Sequence, residues 1–398
     1  MKILFVAFTF SIHSARWISQ LKETGWDIHF FSSMPFHQLH KDISGITFHE
    51  NFYNNIYPDV KGVFYSSPAL HIFSFIQNRI IKKFIRKMAG IMHIEKPAPE
   101  KLAGVIKKIK PDIIHSMETQ HGGYLTAEAR KKIKNGFPLW IHSNWGIDLH
   151  FFGQLQEHVL PIIQTLSGVD ILLVEGRRDA ELAAKFGFKN KVYTFPSVGG
   201  GFRIPSAPLL PVIDRKTILI KGTQDTVRRG LVAIRAVEQC VDLLAAYEII
   251  LYSANEATKE EAKLFYQRTG KEIKVIDAVS QDEMLEMNGR ARINLCVNAS
   301  DGLPNAMIEA MLMGAFPIQS DTSLADEWII DKKNGMIVPA EDVESIGQAL
   351  RNALTNDELI AGAAPYNRAL VADKLEYNKV RAEVIEMYKT ALINQDRV

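Results

Sequence analysis

Cysteine is nearly absent. Cys240 and Cys296 are the only two in 398 residues, and each sits inside an apolar stretch. Two isolated thiols build neither a disulfide framework nor a zinc cluster, so the sequence points to a reducing compartment, the cytoplasm. Long apolar runs are missing too. None approaches the ~18 uncharged residues of a membrane-crossing helix, which predicts a soluble or peripheral chain. Residues 3–10 are apolar and follow Lys2, but no small-residue cleavage site comes after them. A polar loop, a helical pattern over 16–24, Gly25 and a second apolar run follow instead, so the segment reads as a first strand and not as a secretory leader. Repeats of 20–50 residues and low-complexity tracts are also lacking, which excludes solenoids and fibrous arrays.

Charge is nearly balanced overall, with 47 Lys+Arg against 45 Asp+Glu, but it is unevenly shared. Residues 1–200 hold 24 basic and 16 acidic side chains, and the remainder holds 23 and 29. A basic first half and an acidic second half predict different partners for the two.

Strand and helix patterns alternate along both halves. In the first half, strand patterns at 112–115, 138–142, 171–174 and 191–194 follow the opening unit, with a helix over 99–108 and a poorly periodic stretch over 34–70. Such alternation requires crossover connections and reads as a doubly wound parallel α/β domain over 1–196. Residues 197–212, rich in Gly and Pro, read as a linker and hinge. A second alternation covers 213–372, with strands at 217–221, 247–252, 273–276, 291–297, 316–320 and 336–338. Ser280 and Glu283 form a capping box at the start of one of its helices. Residues 373–398 read as a terminal helix that returns to the N-terminal domain. Two successive parallel domains predict a ligand held in a cleft between them, at the carboxyl ends of the strands.

The chemistry concentrates in 298–321, Asn-Ala-Ser-Asp-Gly-Leu-Pro-Asn-Ala-Met-Ile-Glu-Ala-Met-Leu-Met-Gly-Ala-Phe-Pro-Ile-Gln-Ser-Asp. The pattern is strand, Gly/Pro turn, short helix from about Pro304, glycine stop, strand. Proline suits a first helical turn because its missing N–H has no partner there in any case. The amides around Gly302, Leu303, Asn305 and Ala306 then point out of the helix start, where donors and dipole together would hold a diphosphate. Asp301 precedes that helix and Glu309 lies ~7 Å along it. Two carboxylates flanking a diphosphate site match a nucleotide sugar, which has hydroxyls on both sides of its phosphates.

This stretch resembles glycosyltransferase family 4. That family places an acid, seven residues and then Glu inside a Gly-Phe-Pro-Asn…Glu-Ala-Met…Gly-x-Pro pattern. Asp301 and Glu309 have the spacing, and Gly302, Pro304, Asn305, Ala310, Met311, Gly314 and Pro317 fall in place. Glu327 and the Asn-Gly within 331–338 match its downstream ending. The resemblance implies a GT-B fold of two Rossmann-like domains and a metal-independent, retaining transfer from a UDP- or GDP-linked sugar, with no cofactor. It implies that Asp301 contacts the transferred sugar and that Glu309 binds the ribose. It also implies that basic side chains neutralise the leaving diphosphate. The family's Gly-Arg and Lys-Gly pairs are only partly present. Arg229-Gly230 stands for the second, but the usual Arg position is Gly222, so Lys221 and Arg229 are the expected phosphate partners.

The N-terminal half resembles the family less closely, as expected where acceptors vary. His13 and Arg16 open the first helix, and His142 and Asp148 follow an apolar strand; these four are the acceptor-side candidates, with His115 behind them. A basic amphipathic helix is expected over 73–92. Ile76, Ile80, Phe84, Met88 and Met92 form its stripe, and Arg79, Lys82, Lys83, Arg86 and Lys87 carry its charge without one acid. Such a helix suits an anionic inner membrane surface and a lipid-linked or glycan acceptor. No nucleic-acid motif accompanies the basic residues. The competing readings are an epimerase or phosphorylase on the same scaffold, and a non-catalytic sugar-nucleotide-binding subunit.

Overall fold

The structure is a computed structural model that describes residues 1–34, 39–50, 61–64, 97–196, 200–277 and 279–395. The basic segment 73–92 lies outside them. The chain forms two compact units, Met1–Gly201 with Asn378–Val398, and Phe202–Tyr377. The 197–212 stretch read as a linker is therefore shared. The changeover falls between Gly201 and Phe202, and the return falls between Tyr377 and Asn378. The two crossing segments are paired: the Phe202 amide donates to Leu375 O at 2.7 Å, and the Tyr377 amide donates to Phe202 O at 2.9 Å.

The first unit carries eight parallel strands in the order β4-β3-β2-β1-β5-β6-β7-β8. They are β1 (Lys2–Ala7), β2 (Asp27–Ser32), β3 (Thr47–Glu50), β4 (Lys61–Phe64), β5 (Ile113–Met117), β6 (Leu139–Ser143), β7 (Ile171–Val174) and β8 (Lys191–Thr194). Central strands of a parallel sheet are covered on both faces, so they read as continuous apolar runs; Ile3, Leu4, Phe5, Val6 and Ala7 are all fully buried. The strand order reverses between β1 and β5, and the loops after those two strands open on that switch point. β3 and β4 occupy the stretch read as aperiodic.

The last helix, Tyr377–Gln395, buries Val380, Val384, Met387, Tyr388 and Ala391. This spacing of three and four residues is one helical stripe. Tyr388 Oη accepts from Trp17 Nε1 at 2.9 Å and lies 2.5 Å from His115 Nδ1. The C-terminal helix thereby completes the core of the first unit.

The second unit carries six parallel strands in the order β11-β10-β9-β12-β13-β14. They are β9 (Thr217–Lys221), β10 (Glu248–Tyr252), β11 (Ile273–Val275), β12 (Ala291–Cys296), β13 (Phe316–Ser320) and β14 (Met336–Val338). One face is aliphatic, with Ile218, Ile220, Ile249, Leu251, Ile293 and Ile318. The other ends in a polar row. Tyr252 pairs in register with Lys221, Cys296 follows the Leu295 that pairs with Ile220, and Cys296 pairs with Gln319. Helix Asn305–Met313 covers this second face through Ala310. The capping box forms as the sequence predicts. Ser280 Oγ accepts from the Glu283 amide at 3.3 Å, and Glu283 Oε2 accepts from the Ser280 amide at 2.7 Å. Among the described residues no helix is long and apolar enough to cross a membrane.

Candidate active site

In the second unit, β12 runs into a loop that is pinned from several sides. The Asn298 amide donates to Ser320 Oγ at 3.1 Å, and its side chain donates to Asp301 Oδ2 at 2.7 Å. The Gly302 amide donates to Asp301 Oδ1 at 2.9 Å. Asp301 is therefore held in one orientation. Helix Asn305–Met313 begins after Pro304 with no side chain capping it, and it ends at Gly314 with φ 83°. A Cβ on Gly314 would lie 2.7 Å from the buried Arg215 guanidinium, which explains the glycine stop. Glu309 is buried on this helix, over the face that carries the polar row.

Lys221 is where the charges meet. Its ammonium is held above the ordinary range by Cys296 alongside and, against burial, by Asp301 and Glu309. Burial pushes the Cys296 thiol up as well, while Lys221 beside it acts to lower it. Tyr252, the next member of the row, is driven above its ordinary range by burial first, then by Cys296 and Glu309. Lys221, Asp301 and Glu309 thus share one electrostatic neighbourhood at the carboxyl ends of β9 and β12.

The two arginines of the following loop differ. Arg228 donates from Nη1 to Asp225 Oδ2 at 2.6 Å, lies close enough to Lys221 and Cys296 to shift both, and forms a bridge pair with Asn298. Arg229 turns to Glu341 and donates to the carbonyls of Asp225, Thr226 and Arg228, each at 3.2 Å. Its guanidinium braces the loop. Gly222 cannot carry the family's usual Arg on this backbone, because a Cβ there would stand 2.7 Å from Leu251 Cγ.

In the first unit the acceptor-side candidates separate. His13 is half-buried with its ring 5.3 Å from that of Trp145, and Arg16 is half-buried on helix Ile12–Ser19. His142 is fully buried. Nδ1 lies 2.8 Å from Ser116 Oγ and Nε2 lies 2.9 Å from Thr119 Oγ1, so both ring nitrogens are occupied within the fold. His115 is equally enclosed, between Tyr388 and Ser143. Asp148 Oδ2 accepts from the amides of Thr119 and Trp145, each at 2.8 Å, and Oδ1 is buried without a partner. Burial, and then Glu118 nearby, push its carboxyl well above the usual range. These three groups hold the turns after β5 and β6 together from below. The outward groups there are Phe8, Trp145 and His121, with ring centroids 5.0 Å apart for Phe8–His121 and 5.8 Å for Phe8–Trp145.

Family models match both units. One, described as glycosyl transferases group 1, matches residues 215–356, and another, described as glycosyl transferase 4-like, matches 2–99 and 93–175. This chain belongs to that glycosyltransferase family. No individual curated protein matches the transferase in sequence. Its fold is shared with solved structures. Sucrose-phosphate synthase from Thermosynechococcus elongatus is 13% identical with TM-score 0.69, covering 99% of this chain and all of the other. Anabaena HepE in complex with UDP-glucose is 12% identical with TM-score 0.68, covering 98% and 100%. A glycosyltransferase from Rickettsia africae is 15% identical with TM-score 0.67, covering 98% of each. The transferase accordingly has the two-sheet GT-B architecture.

Sequence reading passed over Glu118, His121, Phe8 and Trp145 at this switch point. The available signal was Glu-Thr-Gln-His-Gly-Gly directly after a buried strand. Gly122 in that run is required by close approach, since a Cβ would lie 2.4 Å from Met117 O and 2.6 Å from Val6 O.

Proposed function

We propose that this glycosyltransferase takes a sugar from a nucleoside-diphosphate donor held on the second unit and passes it on with retention of configuration. The observation that carries the reading is the convergence of Lys221, Asp301 and Glu309 beside an uncapped helix start. Gly302, Leu303, Pro304, Asn305 and Ala306 offer that start to the diphosphate, where backbone donors and dipole favour an anion. Lys221 and the neighbouring Arg228 supply positive charge to the leaving phosphates, while Arg229 keeps the loop in place. Glu309 accepts from ribose hydroxyls. Asp301, fixed by Asn298 and Gly302, faces the transferred sugar and stabilises positive charge developing at its anomeric carbon. The departing phosphate oxygen takes the acceptor proton on the same face. The first unit receives the acceptor, a glycan or lipid-linked sugar, at the turns after β1, β5 and β6. The UDP-glucose complex of the structurally similar HepE makes a UDP-linked donor the first to try.

Thermal shift over UDP-, GDP-, ADP- and CMP-linked sugars identifies the donor, since a ligand at 100 times its Kd adds ~2.7 kcal/mol of stability. Calorimetric titration of the matching nucleoside diphosphate then tests the roles. Glu309→Ala is expected to lose ~1.5–3 kcal/mol of binding, through the lost charge-assisted hydrogen bonds. Asp301→Asn is expected to bind the diphosphate normally and to turn over the sugar nucleotide at least tenfold more slowly, a loss of ~1.4 kcal/mol or more in the transition state. Unchanged affinity in Glu309→Ala, or a collapse of diphosphate binding in Asp301→Asn, overturns the assignment. An inverted product anomer overturns retention.

A further inference from the structure

Glu118 follows β5 in the left-handed region, at φ 67°, a backbone state that a residue with a side chain adopts only when its surroundings impose it. It opens a π-helical turn, Glu118–Gly123, a rare geometry. The buried carboxylate folds back over this turn. Oε1 accepts from the Gln120 amide at 3.0 Å, and Oε2 accepts from the amides of His121 at 2.8 Å and Gly122 at 3.3 Å. The same carboxylate lies 3.0 Å from Nδ1 of His121, whose side chain is 44% exposed. A carboxylate accepting at Nδ1 requires the proton there, which leaves the lone pair of the neutral ring on Nε2. The imidazole stands against Phe8, which touches Trp145, so the ring borders an aromatic wall.

We propose that Glu118 is a positioning residue that fixes His121 as the Nδ1–H tautomer, so that Nε2 accepts a hydroxyl of a neutral sugar laid against Phe8 and Trp145. The proposal rests on the transfer reading above and names the groups that orient the sugar in the first unit. Around the pair stand Asp148 on the turn after β6, Tyr124 on the following helix, and His13 across Trp145. Glu118 raises His121 above its ordinary range through their hydrogen bond, against burial.

Imidazole nitrogen-15 NMR on the whole chain reads the tautomer without turnover. Neutral His121 is expected to carry its proton on Nδ1. Its Nε2 resonance is expected to move on adding one of two probes: the sugar nucleotide selected by thermal shift, in which case the donor sugar supplies the hydroxyl, or a methyl pyranoside with nucleoside diphosphate, in which case the acceptor does. Glu118→Gln keeps an amide oxygen for the turn and removes the charge. It is expected to lower the titration midpoint of His121, to shift the pH profile of kcat/KM, and to reduce kcat/KM about tenfold, equivalent to ~1.4 kcal/mol. On a His121→Gln background the same change is expected to cost nothing further, because Glu118 acts through the ring. A proton on Nε2 in the wild type, an Nε2 resonance indifferent to both probes, or additive losses in the double variant each overturn the proposal. Failure of the donor titration with a correct tautomer and a moved resonance would instead overturn the transfer reading alone.

Discussion

His115 and His142 show what burial does to an imidazole that has all its partners. Burial, with His142 adding to it, holds His115 well below its ordinary value, and burial brings His142 down to about 4 against its backbone contact with Ser116. In the unfolded chain both titrate near 6.5. As the pH falls from 6.5 toward 4, the unfolded chain takes up protons that the native fold refuses, so stability is complete above that window and is lost as acid is added. For His142 the difference is on the order of 3 kcal/mol at 1.36 kcal/mol per pH unit. Asp148 acts in the opposite sense. Its raised carboxyl keeps a proton that the unfolded chain releases above ~3.9, so its contribution weakens as the pH rises. Thermal melts between pH 7.5 and 4.5 are expected to show the first unit losing stability toward acid, and His142→Gln is expected to flatten that slope. Equal slopes in wild type and variant would remove His142 from the account.

The loop between β9 and helix Gly230–Glu238 closes tightly on its own backbone. The Gly230 amide donates to Thr223 O at 3.0 Å, and a Cβ on Gly230 would lie 2.6 Å from Gly222 O and 2.9 Å from Thr223 O. Both obstacles are backbone, so the loop itself must move. Gly230→Ala is expected to cost ~1–3 kcal/mol in the second unit, as overpacking does, and to weaken nucleotide binding with it. Calorimetry of the variant decides; an unchanged melt means the loop is softer than its contacts imply. The six strands of this unit were legible in the sequence, the four inner ones because strands buried on both faces become continuous apolar runs between breakers. β3 and β4 were not, since four-residue strands, the second of them at the sheet edge, carry too little period. The Asp301…Glu309 spacing was legible because one loop and one helix hold both acids. The turn at Glu118 was not, because a side chain folded back on three amides stabilises it. His142 was an acceptor-side candidate from its place at the end of an apolar strand, and only the packing of the turns beside it shows that both ring nitrogens are taken. Arg229 was chosen by alignment with a family pair, and its contacts with Glu341 and three carbonyls carry no mark in the sequence.

The first unit is discontinuous in the chain, and its stability depends on a helix encoded after the second unit. A chain ending at Tyr377 loses the buried Val384, Met387 and Tyr388, each worth ~1.5–3 kcal/mol of apolar burial. Scanning calorimetry is expected to show the transition of the second unit intact and that of the first strongly lowered or gone. Tyr388→Phe, which removes only the hydroxyl between Trp17 and His115, is expected to cost ~1–3 kcal/mol. Two unchanged transitions in the shortened chain would mean that the first unit stands without its last helix. The paired crossing at Phe202 and Tyr377 also sets an order on the ribosome. The second unit lies between those crossings as one uninterrupted segment and can close as soon as it emerges. The first unit begins earlier, yet at ~5–20 residues per second it waits roughly ten to thirty-five seconds for its last helix. During that interval Trp17 and His115 lack the Tyr388 hydroxyl that joins them in the finished fold. The unit translated first is finished last.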